Sequence, residues 1–133
     1  MLRIGVDFDG TIAEGKPMQL LPYVRRSLLL IKRAGHHLIL FSGRCSTMDP
    51  SPALDDEVSR FYAEGEVPPR VRDQWDRFDS MRDFLRANGL WGIFDEIWQA
   101  PGKPSLDVII DNASEQPKWI YLAQCYGCSP EVV

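Results

Sequence analysis

Short apolar runs alternate along this chain with stretches that repeat at helical spacing. Arg3-Ile4-Gly5-Val6 starts just after Met1 and ends in Asp7-Phe8-Asp9-Gly10-Thr11, as a strand buried on both faces would. Ile12 to Leu21 reads as a loop broken at Gly15 and Pro17. Pro22 suits a first helical turn, Val24, Leu28 and Ile31 recur at i, i+4, i+7, and Gly35 supplies a stop, so a helix is predicted there. His37-Leu38-Ile39-Leu40-Phe41 is the second apolar run, closed by Ser42-Gly43-Arg44. Strand, helix and strand in that order predict a right-handed crossover and a parallel pair.

Farther on, Thr47 to Pro52 reads as a loop, and Ser51-Pro52 opens a helix with Leu54, Val58 and Phe61 on its apolar stripe and Gly65 at its end. Pro68-Pro69 separates it from a longer helix, in which Val71, Trp75, Phe78, Met81 or Arg82, and Leu85 keep the period until Asn88-Gly89. Ile93 to Trp98 alternates as an edge strand would, and carries Asp95 and Glu96. Ala100 to Pro104 is a breaker-rich loop holding Lys103, and Leu106 to Ile110 is the last apolar run, ending at Asp111. A closing helix sets Trp119, Leu122, Ala123 and Tyr126 on one face. The expectation is one α/β domain over residues 1–133 with a mostly parallel sheet.

Composition narrows the function more than the fold. A length of 133 residues suits one domain with a substantial core. A formal charge of −4 argues against a general electrostatic grip on nucleic acid or on an acidic membrane. The arginines between Arg70 and Arg86 are interleaved with Asp73, Asp76, Asp79 and Asp83, which reads as a solvated helix face. No apolar run is long enough to span a bilayer, and no leader precedes the first strand. Three cysteines fit a reducing compartment better than a disulfide framework. A cytoplasmic protein is expected.

Three apolar runs end in polar groups: Asp7 with Asp9, then Ser42, then Asp111. Asp7 and Asp9 stand two apart, so a strand would start them off the same way, and Gly10 lets the chain turn out of the sheet. Ligands of open parallel sheets bind beyond the carboxyl ends of the strands, where these groups can converge. Asp7, Asp9 and Asp111 together would be strongly negative, and Mg²⁺, which takes oxygen ligands, is the natural remedy. Such a site suits a phosphate ester. Asp7 can attack phosphorus as a carboxylate, giving an aspartyl-phosphate, while Asp9 protonates the leaving alkoxide and then deprotonates the attacking water. Ser42, with amides near Phe8 and Gly43, can hold the non-bridging oxygens, and Lys103 can offset their charge.

Asp7-x-Asp9-Gly10-Thr11, the strand ending at Ser42, Lys103 downstream and the strand ending at Asp111 resemble the four motifs of the haloacid dehalogenase superfamily. The resemblance spans Arg3 to about Ser114. It implies a three-layer Rossmann-like fold, Asp7 as nucleophile and Asp9 as acid and base. Phosphate would be bound by Ser42, Gly43 and Lys103, and the metal by the Asp7 side chain, the Asp9 carbonyl and Asp111. An aspartate two residues after the nucleophile is similar to the phosphatase branch, and Lys103-Pro104-x-x-Asp107 resembles small capless members. The expected activity is therefore Mg²⁺-dependent hydrolysis of a small phosphorylated metabolite. Two departures stand out. The last motif reads Asp111-Asn112 rather than two acids, which makes Asn112 a candidate for holding a metal-bound water or substrate. Ile12 to Leu21 is too short for a lid domain, and Gly43 to Gly102 holds one helix more than the simplest core needs, enough to cover the site in part but not to make a full cap. Together they leave a second reading open, a non-catalytic phosphate- or metal-binding module.

Other features weigh less. Arg44 could meet a second phosphate or a substrate carboxylate, or pair with a nearby acid. Cys125-Tyr126-Gly127-Cys128 has C-x-x-C spacing but falls at a helix end without a second pair, so it reads as structural. His36-His37 reads as loop at the sheet end away from the site, and Asp107 could support Lys103 but reads better as structural. Trp75 and Trp119 are expected in helical core stripes. Trp91 and Trp98 bracket the predicted edge strand, where aromatics could cement a homodimer.

Overall fold

The computed structural model describes residues 1–45, 64–66, 69–99, 104–113 and 115–128, with the Arg70 side chain left out. Its elements run β1 (Arg3–Val6), β2 (Ala13–Glu14), β3 (Gln19–Leu20), α1 (Val24–Arg33), β4 (His37–Leu40), α2 (Pro69–Ala87), β5 (Glu96–Ile97), β6 (Val108–Ile110) and α3 (Trp119–Tyr126). Among the described residues the main sheet has four strands in the order β5-β4-β1-β6. Every neighbouring pair is parallel. The protein is α/β.

β1 lies between β4 and β6, with Val6 opposite Leu40 on one side and Ile110 on the other. A strand in that position is paired on both edges, and Ile4, Gly5 and Val6 are all buried, which is why its sequence is apolar without alternation. Ile4, Val6, Leu38, Leu40 and Ile110 share one face by register, and they join a single buried core with Val24, Leu28 and Ile31 of α1, Met81 and Leu85 of α2, and Trp119 of α3. Each such side chain contributes about 1.5–3 kcal/mol by leaving water. On the other face, a Cβ at Gly5 would collide with the Leu106 side chain, so glycine is what lets Leu106 lie against β1. Ile109 on that face is 46 % exposed.

α1 starts after Tyr23 and stops at Gly35, whose φ of +90° carries the chain back towards β4. At this amino-terminal edge of the sheet the strands are tied by charge. Arg3 meets Glu96 at 3.2 Å, His37 meets Glu96 at 2.8 Å, and Lys32 meets Asp95 at 2.6 Å. Asp107 accepts the Arg3 N–H, as its structural reading expects, and His36 Nδ1 accepts the Leu2 N–H.

Several elements differ from the sequence pattern. The predicted loop from Ile12 to Leu21 contains a small antiparallel hairpin, β2 with β3, because Gly15 at φ +93° allows the reversal. The predicted strand from Ile93 to Trp98 shrinks to the two residues of β5, and Trp91–Ile93 forms a 3-10 turn instead. His37, placed by the sequence both at the head of the second apolar run and in a loop with His36, opens β4. Trp119 is buried, but Trp75 is 38 % exposed and does not join the core: helical spacing put it on the stripe, and the fit of α2 against the sheet sets it aside. Trp91 packs edge-on against Phe78, with Arg86 over its ring. The helix predicted from Ser51 to Gly65, apart from its last two residues, lies outside the described residues. Among those described, no helix is long and apolar enough to cross a membrane.

Candidate functional site

Backbone pairing brings the candidate residues together. The Asp7 N–H donates to the Ile110 carbonyl at 3.0 Å, and the Phe41 N–H to the Val6 carbonyl at 2.8 Å. These bonds extend the ladders one step past the strands and leave Asp7, Ser42 and Asp111 at one sheet edge. The chain then turns sharply: the Phe8 carbonyl accepts from the amides of Thr11 and Ile12, and Gly10 sits at φ +71°. That conformation disfavours any residue with a Cβ. A Cβ at Gly10 would also collide with the Asn112 side-chain amide, so the two candidate loops touch at that point. The turn is anchored from α3, where the Trp119 indole N–H donates to the Thr11 carbonyl at 2.9 Å.

Asp7 is half-buried and accepts the Phe8 N–H on Oδ1 at 2.8 Å. Burial raises its pKa above the usual carboxylate value; the Phe8 amide opposes this, and the charges of Asp9 and Asp111 add to it. Asp7 therefore feels both of the other acids. Asp111 is exposed and accepts the Ala113 N–H on Oδ1 at 3.3 Å. A cavity of about 370 Å³ opens beside it, lined among others by Ile109, Gln116, Lys118 and Tyr121. The larger cavity, about 650 Å³, lies between α1 and α3 and reaches none of the acids.

On the other flank, Gly43–Cys45 forms a 3-10 turn directly after Ser42. The Arg44 N–H donates to Ser42 Oγ at 3.2 Å, and the Cys45 N–H to the Ser42 carbonyl at 2.9 Å. Gln74 of α2 holds the turn by donating Nε2 to the Gly43 and Arg44 carbonyls at 3.0 and 3.2 Å. Arg44 then reaches across to Asp9. Its Nε donates to Oδ2 at 2.8 Å and its Nη2 to Oδ1 at 2.9 Å, a bidentate pair. Nη1 donates to the Arg77 carbonyl at 3.2 Å, and the guanidinium lies 5.4 Å from the centre of the Phe8 ring. Cys45 is buried at this junction, and burial, with a contribution from the Asp7 charge, pushes its thiol up to about 11. It is protonated at neutral pH and no nucleophile.

Asp7, Asp9, Ser42, Gly43, Arg44, Asp111 and Asn112 thus meet at one end of the sheet, while Lys103 lies outside the described residues. Gln74 and the Arg77 carbonyl had no signal in the sequence, since both belong to a helix some thirty residues beyond the turn they hold. The metal ligands expected from the sequence, the Asp7 and Asp111 carboxylates and the Asp9 carbonyl, would all be hard oxygen donors, the type that Mg²⁺ takes. Among the described residues no three His, Cys, Asp or Glu side chains stand as a ready cage, and the Asp9 carboxylate is turned to Arg44. Comparison of the chain with family models, with curated proteins and with solved structures gave no match.

Proposed function

We propose that this chain is a Mg²⁺-dependent phosphoric monoester hydrolase, a small capless member of the haloacid dehalogenase superfamily with its three-layer Rossmann-like fold. The observation that carries the reading is the in-register pairing of β1 with β4 and β6, which supports a shared site for Asp7, Ser42 and Asp111. In this mechanism Asp7 attacks phosphorus and becomes an aspartyl-phosphate, while the ester oxygen leaves with a proton from Asp9. Asp9 next takes a proton from the water that attacks the acyl-phosphate, which restores both carboxyl groups. Ser42 and the amides around Phe8 and Gly43 hold the non-bridging oxygens. Lys103 is assigned to the same phosphate. Mg²⁺, held by Asp7, Asp111 and the Asp9 carbonyl, would neutralise charge on the phosphoryl oxygens.

The test is hydrolysis of an aryl phosphate with Mg²⁺ by the wild type and by Asp7→Asn. The wild type should turn over and the variant should not; equal turnover would show that Asp7 is not the nucleophile. The pairing of both Asp9 carboxylate oxygens with Arg44 favours a second reading, a non-catalytic phosphate- or metal-binding module. Calorimetry showing phosphate binding by a chain that hydrolyses none of a few dozen monoesters would select it.

A further inference from the structure

The Asp9–Arg44 pair poses a problem that its own geometry answers. An acid that accepts a hydrogen bond on each oxygen from one guanidinium is oriented on that guanidinium and not on a substrate, although each oxygen keeps a second acceptor site. The pair is not a loose surface contact: the Arg44 side chain is only 16 % exposed, against 53 % for Asp9. Phe8 lies beneath the guanidinium, and the Arg77 carbonyl holds its third nitrogen. The fork is thus anchored from α2, and Asp9 is the more accessible partner. The Arg44 backbone is fixed as well, through Ser42 Oγ and Gln74, so the guanidinium stays close to the residue proposed to hold phosphate.

We infer that Arg44 is a binding residue for the phosphoryl group, and that Asp9 occupies its fork only until a phosphate dianion replaces it. A phosphoryl group offers the same planar pair of oxygens to a guanidinium as a carboxylate does, with more charge. Entry of the anion beside Ser42 moves the fork from Asp9 to phosphoryl oxygens and frees the Asp9 carboxylate. This exchange makes the acid available only when an ester is present. The inference rests on the proposed phosphate site, and it goes further by assigning Arg44 and by coupling Asp9 to occupancy.

The experiment is a double-mutant cycle on binding of inorganic phosphate, read by calorimetry with Mg²⁺ present, so that it does not depend on turnover. Arg44→Gln should weaken phosphate roughly tenfold to a hundredfold, the value of a charge-assisted hydrogen bond or two, and Arg44→Lys should recover part of the loss. Asp9→Asn should tighten phosphate several-fold, because the fork no longer has a competing carboxylate. In Arg44→Gln/Asp9→Asn that gain should vanish. Arg44→Gln binding as tightly as the wild type overturns the inference. So does an Asp9→Asn gain that persists without Arg44, since plain charge removal would then explain it. Circular dichroism of each variant identifies a loss due to misfolding, in which case Arg44→Lys carries the comparison. A wild type that binds phosphate through Arg44 but hydrolyses no ester would refute the hydrolase reading and leave this one standing. A wild type that turns over with Arg44 irrelevant to phosphate does the reverse.

Discussion

Replacing Gly10 by alanine, with Gly35→Ala alongside, separates the backbone demand of the site turn from its contact with Asn112. Both glycines adopt positive φ, +71° and +90°, where a Cβ costs about 1–2 kcal/mol. Alanine also stiffens the unfolded chain, which offsets roughly 0.4–1 kcal/mol of that cost. The net loss for Gly35→Ala, where a Cβ would meet nothing within 4 Å, is therefore about 1 kcal/mol. At Gly10 the added methyl must also displace the Asn112 amide. Asn112 is exposed and can rotate, so the extra cost is of order 0.5–1.5 kcal/mol, that of a side chain pushed off its rotamer. For a domain of this size each kcal/mol lowers Tm by roughly 3–5 °C, so both variants should fold and melt a few degrees early. Turnover of an aryl phosphate should distinguish them. Gly10→Ala shifts the turn that carries Asp9 against Asn112, and should lose roughly a hundredfold in rate, as small misplacements of reacting groups do. Gly35→Ala sits at the far edge of the sheet and should keep its activity. An unchanged Tm for Gly10→Ala would refute the strained turn, and an equal loss of rate in both variants would refute the local contact.

Three more outcomes follow from the charges and from one buried hydroxyl. Asp7 has its pKa raised by burial and by the charges of Asp9 and Asp111, so its contribution to stability is fully present below the ordinary carboxylate range and is lost as pH rises through the raised folded value; metal-free Asp7→Asn should therefore melt above the wild type at neutral pH and converge with it in acid, and a lower Tm at neutral pH would contradict this. Glu96 has its pKa lowered by the His37 hydrogen bond first, against slight desolvation, and by the charges of Arg3 and His37. That stability is present above the unfolded value and disappears as pH falls through the lowered one, so Glu96→Gln should show a shallower decline in acid unfolding than the wild type. Thr11 is fully buried and its Oγ1 has no hydrogen-bond partner among the described residues; Thr11→Val should raise the urea midpoint by the equivalent of about 1 kcal/mol, and a destabilised variant would mean the hydroxyl is bonded.

The fold was legible where one physical demand governed a whole segment. β1 reads as apolar without interruption because it is paired on both edges, and α1 reads at helical spacing because Val24, Leu28 and Ile31 all enter one core. Legibility fell where tertiary fit overrode local pattern. Trp75 keeps the helical period yet lies off the buried stripe of α2. The alternation from Ile93 to Trp98 promised a longer strand, but regular pairing with β4 covers only Glu96 and Ile97, with the Asp95 and Trp98 amides donating to the Leu38 and Leu40 carbonyls at its two ends. The Asp95 side chain also accepts the Leu38 N–H and pairs with Lys32.

The same distinction runs through the candidate site. Its acids were visible because each ends an apolar run, and parallel strands that pair in register must end at one edge. What no run or spacing encodes is which cation meets which acid. Arg44 finds Asp9 only because a 3-10 turn follows β4 and because α2 presents Gln74 and the Arg77 carbonyl to that turn. A surface arginine paired with a neighbouring acid would be worth about 0–1 kcal/mol and would have little bearing on chemistry. This pair differs because its arginine is braced on three sides and its acid is the residue proposed to move the proton. On the proposed reading the resting site is held by its own carboxylate, and an incoming phosphate would have to displace that carboxylate before Asp9 could act.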